Sequence, residues 1–423
     1  MEKFVICGGE PLNGDVAISG MKNSALPILF GTILTEGICI IDNLPDISDV
    51  KDSLAILESV GASVRFIGTN TVVIDTKLVT PKSPPLELVG KIRASYYLWG
   101  TMLGRFNKAQ VGQPGGCDFG NGRPIDQHLK SFNMLGAKVS YESNAAITLN
   151  APEGLKSNSI YFDVASVGAT INIMYAAIFA EGVTVIENAA REPHIVDTAC
   201  FLNACGANIM GAGTTTIRIK GVKKLKGCNY SIAPDMIEAG TYMIAGAITK
   251  GRVRVTNVIP KHMEAITSKL IEANVPIEIG DSYITVNPAE TIKSVPIKAN
   301  PYPGFPTDMQ PQFSVLMTVA QGVSKISDGI YSTRFKYKDH LISMGANITY
   351  DEQKASLSII GVPELNGATV KASDLRAGAA LILAGLAAKG TTTITNIELV
   401  ERGYDHIVEK LRSLGANIKR EKI

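Results

Sequence analysis

A chain of 423 residues, 45% hydrophobic and 19% charged, has the composition of an ordinary globular protein. It is long enough for two domains of about 200 residues each. Its formal net charge of +2 excludes a global pull towards nucleic acid or an anionic membrane, so any anion binding must come from local clusters of Lys and Arg. The opening MEKFVICGGEPLNG lacks a signal-peptide core, and the longest nearly pure apolar run, 377–388, falls short of the roughly 20 residues a spanning helix needs. A cytoplasmic protein with a buried helix over that run is the expectation.

The first seventy residues set a pattern. SALPILFGTIL (24–34) predicts a buried helix, and Gly37 fits its C-cap. ICIID (38–42) is β-branched with little alternation, as a buried strand is. DVKDSLAILESV (49–60) is amphipathic, with Val50, Leu54, Ile56 and Leu57 on its apolar side. Gly61 ends that helix, and SVRFIG and TVVID form a hairpin around Thr69 and Asn70.

The phrase that closes this unit recurs as SVGASV, MLGAKV, ACGANI, EANVPI, SMGANI and SLGANI, at Gly61, Gly136, Gly206, Asn274, Gly345 and Gly415. A second phrase keeps step with glycines at 37, 182, 251, 322 and 390, and fails once, at NKAQVGQP in the second unit. Six βαβαββ-like units of about 70 residues nearly fill the chain. A solenoid is the plain alternative. Two similar α/β domains of three units each, divided near Asn229 and facing each other across a cleft, suit a unit of this size better.

The second unit breaks its pattern at GQPGGCDFGNGRPIDQH (112–128), too rich in Gly and Pro for a helix or regular strand. Loops of this kind in compact domains are lids or binding loops. Cys117 sits inside it, six residues before Arg123. A thiol beside a guanidinium and free loop amides has a lowered pKa and can exchange a proton near neutral pH. The other five cysteines (Cys7, Cys39, Cys200, Cys205 and Cys228) read as small buried hydrophobes, with no CxxC pair to suggest a disulfide or zinc. Neither a GxxxxGK[ST] loop nor a strand-linked GxGxxG is present.

PGGC followed by GRPIDQH resembles the active-site loop of the UDP-N-acetylglucosamine 1-carboxyvinyltransferase family, within the EPSP synthase superfamily. ISGMKNSALPIL, KIRASYYLWG, SVGATINIM, ENAAREP, PDMIEAGTYM, PGFPTDMQPQF, DLRAGAALILAGL and ERGYD match in the family's order across the whole chain. The resemblance implies a two-domain inside-out α/β barrel, one domain spanning 21–229 and the other 1–20 plus 230–423. It implies transfer of the enolpyruvyl group from phosphoenolpyruvate to UDP-N-acetylglucosamine, without metal or cofactor, and sensitivity to fosfomycin.

By the same resemblance Cys117 is the acid that reaches C3, Asp308 accepts the proton of the sugar hydroxyl, and Lys22 and Arg402 complete the catalytic set. Arg93, Arg123, Arg334 and Arg376 hold the anions beside them. Pro124, Ile125, Asp126 and Gln127 face the uracil and diphosphate, with Ser166, Val167 and Gly168 opposite, while Asn23 and Ile330 touch the sugar. Read from the residues, Asp308 also suits a helix N-cap, and Arg376 follows Ser373–Asp374 where free helix amides favour an anion. The chain departs from the family pattern in four places: an extra residue between Cys117 and Arg123, His194, Met236, and YSTRF at 331–335. Those departures keep a different UDP-sugar or nucleotide acceptor open.

Overall fold

The computed structural model describes residues 2–116, 124–142 and 146–422. Among them the chain divides into two compact units. One is discontinuous, made of 2–19 and 234–422; the other is the continuous stretch between, 20–233.

In the continuous unit three helices, Lys22–Gly31, Tyr97–Phe106 and Val167–Ala177, are buried on nearly every side and pack on one another. Sheets lie against them. One runs 229–231, 38–42, 72–75, 63–66, with a parallel first pair and antiparallel pairs after it. A second has the same plan in 159–161, 183–187, 216–220 and 208–210, and a third is a three-stranded antiparallel sheet of 108–111, 147–150 and 138–141.

The discontinuous unit repeats the plan around helices Met236–Ile248, Gln310–Met317 and Leu375–Ala387. Two of its sheets are completed by the start of the chain: Gly14–Ala17 pairs in parallel with 253–256, and Glu2–Cys7 lies between 391–395 and 417–422. The molecule is thus an α/β protein with mixed sheets, none of which closes on itself among the described residues.

The six positions of the recurring phrase all hold a left-handed backbone, with φ from 67° at Asn274 to 111° at Gly61. Asn tolerates that region because its side chain bonds locally, which is why it can stand where the other five have Gly. Gly37 does not behave as expected. Its helix ends at Gly31, followed by a 3-10 turn capped at Thr35, and Gly37 lacks a positive φ. It is small because a Cβ there would lie 2.9 Å from the Gly227 nitrogen.

Strand 38–42 also differs from its reading as fully buried. Cys39 and Ile41 face the core while Ile38 is 55% exposed, because only one face of its sheet is covered by helices. Cys7 and Cys200 are exposed and Cys228 half-buried, so only Cys39 and Cys205 are core residues. Cys7 is the last residue of its strand, and Cys200 lies on the outer face of helix Pro193–Ala204.

Candidate active site

In the discontinuous unit, the 3-10 turn Thr307–Met309 leads into helix Gln310–Met317 and presents Asp308. Its carboxylate does not cap that helix. It accepts instead from Arg334 Nη1 at 2.8 Å and from Arg376 Nη2 at 3.1 Å. The two guanidiniums are 4% and 2% exposed and Asp308 26%, so the pair is desolvated while the carboxylate keeps an open side. Burial alone would raise the Asp308 pKa. The attraction of Arg376 and Arg334 and their hydrogen bonds outweigh it, and the carboxyl is held well below its usual range.

The surrounding groups fix this cluster. Arg334 Nη1 also donates to Thr307 Oγ1, whose hydroxyl donates to Asp328 Oδ2 at 2.6 Å. Asp328 Oδ1 accepts from the amides of Ile330 and Tyr331, so one carboxylate shapes the loop from Ile330 to Arg334. Arg376 lies 5.3 Å from the centre of the Tyr404 ring, and Tyr404 Oη is held by Thr241 and Gln312. Arg376 Nε and Nη1 are buried, and a hydrogen bond with Tyr404 helps keep the guanidinium charged.

The amides at the start of helix Leu375–Ala387 are not free, contrary to the sequence-based expectation. Asp374 caps the helix and accepts from the amides of Arg376 and Ala377, leaving the Arg376 side chain as the donor. Arg402 is half-buried in the turn before helix Ile407–Ser413. That turn is anchored through Asp405, which accepts from Ser19 Oγ at 2.6 Å. Ser19 Oγ accepts in turn from Lys410 Nζ, which also donates to Glu238 Oε1.

In the continuous unit Lys22 opens helix Lys22–Gly31, with Asn23 next to it. Lys22 Nζ lies 2.8 Å from Asp49 Oδ2, both side chains nearly buried. Arg93 sits 5.4 Å from the Tyr96 ring centre. Tyr96 in turn packs against Gly168, where a Cβ would fall 2.7 Å from its hydroxyl, so only glycine admits this contact. Ser166 caps helix Val167–Ala177 by accepting from the Ala169 amide at 3.3 Å.

His128, on helix Asp126–Met134, is buried beside the same group. Burial, then repulsion from Arg93, pushes its pKa down to about 3, so it is neutral and accepts from Asn172 Nδ2 at 3.0 Å. Pro124 and Ile125 precede that helix, and Gln127 donates to Asp126 and Asp163. Gly116 packs on Arg93, with a Cβ there 2.9 Å from the Arg93 Cβ. Cys117 and Arg123 lie outside the described residues.

Asp308, Arg334 and Arg376 are therefore in contact, Ile330 and Arg402 stand on turns tied to that cluster, and Arg93 and Gly168 share Tyr96. Sequence reading passed over Asp49, Asp328 and Tyr404, and named Asp374 without seeing that it caps its helix. The cap was legible in an Asp just before the apolar run; the others are joined to their partners only by the fold. Among the described residues no group of His, Cys, Asp or Glu is arranged to hold a metal ion, and no helix is long and apolar enough to cross a membrane.

The model of the EPSP synthase (3-phosphoshikimate 1-carboxyvinyltransferase) family matches residues 6–411. The chain belongs to this family. It is 53% identical over 424 residues to UDP-N-acetylglucosamine 1-carboxyvinyltransferase 2 of Clostridium acetobutylicum, covering 100% of both chains. It is likewise 53% identical over 422 residues to UDP-N-acetylglucosamine 1-carboxyvinyltransferase of Clostridium botulinum, covering 99% of this chain and 100% of the relative. Among solved structures, the enolpyruvyl transferase NikO from Streptomyces tendae superposes with a TM-score of 0.90 at 25% identity, covering 100% of this chain and 99% of that one.

Proposed function

We propose that this enzyme transfers the enolpyruvyl group of phosphoenolpyruvate to the 3'-hydroxyl of UDP-N-acetylglucosamine and releases phosphate, the first committed step of peptidoglycan synthesis. The observation that carries the reading is the buried Arg334–Asp308–Arg376 cluster, found in a chain similar along its whole length to relatives named for this reaction. Six related units of about 70 residues, arranged three by three as two inside-out α/β barrels over 21–229 and 1–20 plus 230–423, go with it as the finer architecture.

A carboxylate gripped by two guanidiniums is a poor base. Phosphoenolpyruvate, carrying a phosphate and a carboxylate, competes for those guanidiniums. As the anion draws on them their hold on Asp308 weakens and its basicity rises, so the base is armed by the co-substrate. The sugar oxygen then attacks C2 of phosphoenolpyruvate as Asp308 takes its proton, and the Cys117 thiol protonates C3. In the second half C3 gives up a proton, the bond from C2 to the phosphate oxygen breaks, and phosphate leaves. Lys22, Arg93, Arg123 and Arg402 stabilise the developing charge.

For the acceptor, Pro124 to Gln127 and Ser166 to Gly168 take the uracil and diphosphate, with the lightly capped start of helix Val167–Ala177 suited to a phosphate. Asn23 and Ile330 contact the sugar. In the cell the protein works in the cytoplasm, where its sugar nucleotide is made.

Phosphate release from phosphoenolpyruvate, assayed with UDP-N-acetylglucosamine and with a panel of other UDP-sugars and nucleotides, tests the reading. Release that depends on UDP-N-acetylglucosamine supports it; release only with another acceptor sinks it. The Cys117 role has its own test. Fosfomycin, an epoxide phosphonate, should be held through its phosphonate while the thiolate opens the ring, forming a carbon–sulfur bond as the ring carbon–oxygen bond breaks. The adduct should map to Cys117, and one on any other cysteine counts against the assignment.

A further inference from the structure

Enolpyruvyl transfer uses none of the described cysteines, yet three of them meet inside the continuous unit. Cys39 is the second residue of strand Ile38–Asp42. Cys228 stands just before strand Asn229–Ser231, which pairs in parallel with that strand, and its carbonyl accepts from the Ile40 amide at 2.9 Å. Cys205 follows the end of helix Pro193–Ala204, and its carbonyl accepts from the Lys226 amide at 2.8 Å. Backbone hydrogen bonds therefore set the positions of Cys205 and Cys228 on either side of a short connection.

Their sulfurs lie 3.3 Å apart, and the Cys39 thiol interacts with both. Thr35 Oγ1 stands 3.6 Å from Cys39 Sγ. A disulfide needs a separation of about 2.05 Å, so the two sulfurs have only to close by roughly 1.3 Å. They are free thiols here.

We propose that Cys205 and Cys228 are a dithiol that a peroxide oxidises reversibly to a disulfide. Cys228 is the half-exposed member, while Cys39 is 0% and Cys205 1% exposed, so oxidation begins at Cys228. Its thiolate attacks one peroxide oxygen; a sulfur–oxygen bond forms, the oxygen–oxygen bond breaks, and the departing hydroxide takes a proton to become water. Cys205 Sγ then attacks the resulting sulfenic sulfur. The disulfide forms, the sulfur–oxygen bond breaks, and a second water leaves, so two thiols have reduced one hydrogen peroxide to two waters.

The Cys205 hydrogen bond pulls the Cys228 thiol down, but Cys39 and burial push it up to about 11, so oxidation should quicken as pH rises. The bond would fasten the end of helix Pro193–Ala204 to the last strand of the unit, closing a loop between cysteines 23 residues apart.

The test is non-reducing peptide mapping of the reduced full-length chain after treatment with about one equivalent of hydrogen peroxide, free thiols being capped in denaturant. A linked peptide joining Cys205 to Cys228, two hydrogens lighter and reversed by dithiothreitol, is the expected result. Cys205→Ser and Cys228→Ser should each abolish it, and Cys39→Ser should leave the Cys205–Cys228 link in place. The proposal is overturned by a main product that links other cysteines, by sulfinic acid at Cys228 without a link, or by Cys205 and Cys228 both remaining alkylatable. The wild-type map decides on its own if a variant folds poorly, and no result depends on the enolpyruvyl transfer reading.

Discussion

The buried helices of the two units begin differently. In the discontinuous unit, two of three start on an aspartate: Asp235 accepts from the amides of Ile237 and Glu238, and Asp374 from those of Arg376 and Ala377. In the continuous unit, Ser166 makes a single cap bond of 3.3 Å, and helices Lys22–Gly31 and Tyr97–Phe106 have no side-chain cap. An ionised cap occupies amides that would otherwise attract an anion and adds a negative charge where the helix dipole is positive. Two helix starts of the discontinuous unit are thus closed by carboxylates, while Ser166 leaves the start of helix Val167–Ala177 only lightly capped.

The sharpest way to break this contrast is at Asp308. Asp308→Asn keeps the shape but removes the base, and turnover should fall about 100- to 10,000-fold, with sugar-nucleotide binding within a few-fold by calorimetry. Near-normal turnover would refute the role. Because the two arginines hold the carboxyl far below its ordinary range, it stays ionised at every working pH. The acid side of kcat/KM in the wild type should therefore show no loss attributable to Asp308 down to about pH 5.

Next in size is the first turn of helix Met236–Ile248, where Glu238 is paired with Lys410 at 2.6 Å. Burial pushes Glu238 up to about 7, with Lys410 pulling the other way. A raised carboxyl contributes stability that is full below its unfolded pKa and lost as pH rises through about 7. Lys410→Met should cost about 3–5 kcal/mol in denaturant unfolding at pH 8 and less at pH 5, where Glu238 can take a proton instead. Adding Glu238→Gln should recover much of the loss. An equal cost at both pH values would show that the lysine matters through packing.

Asp374→Ala should cost about 1 kcal/mol of stability, within the usual range for a lost cap. It should also leave the amides of Arg376 and Ala377 able to bind sulfate, detectable as a gain in anion-dependent melting temperature. Smallest is Ser166→Ala. With one long cap bond at stake, the stability loss should be about 0.5 kcal/mol, and the effect should show instead as weaker sugar-nucleotide binding. If Ser166→Ala costs as much stability as Asp374→Ala, the two helix starts are not different in kind.

What could be read in the sequence was whatever the backbone demands locally. The recurring phrase marks a helix stop that needs a left-handed residue, and Asn274 belongs with the glycines for that reason. Gly37 misled because a glycine can be required by a close neighbour as well as by φ, and its neighbour, Gly227, is far away in the chain. The same distance hid the site's internal wiring. Arg376 reaches Asp308 across 68 positions, and Lys22 finds Asp49 on the following α-helix. The resemblance could name the arginines and Asp308; it could not tell that the arginines grip the aspartate.

The strand Glu2–Cys7 has a consequence for how the protein is made. It leaves the ribosome long before its partner, for Cys7 pairs with Thr391, 384 residues later. At roughly 5–20 residues per second, it waits about 20–75 s for that partner to be synthesised. During this time the continuous unit, whose strands pair only among themselves, can fold, while a β-prone opening segment, KFVIC, stays without its sheet. A nascent-chain protease assay should find the strand Glu2–Cys7 cleavable until 391–422 has emerged, long after 20–233 has become resistant.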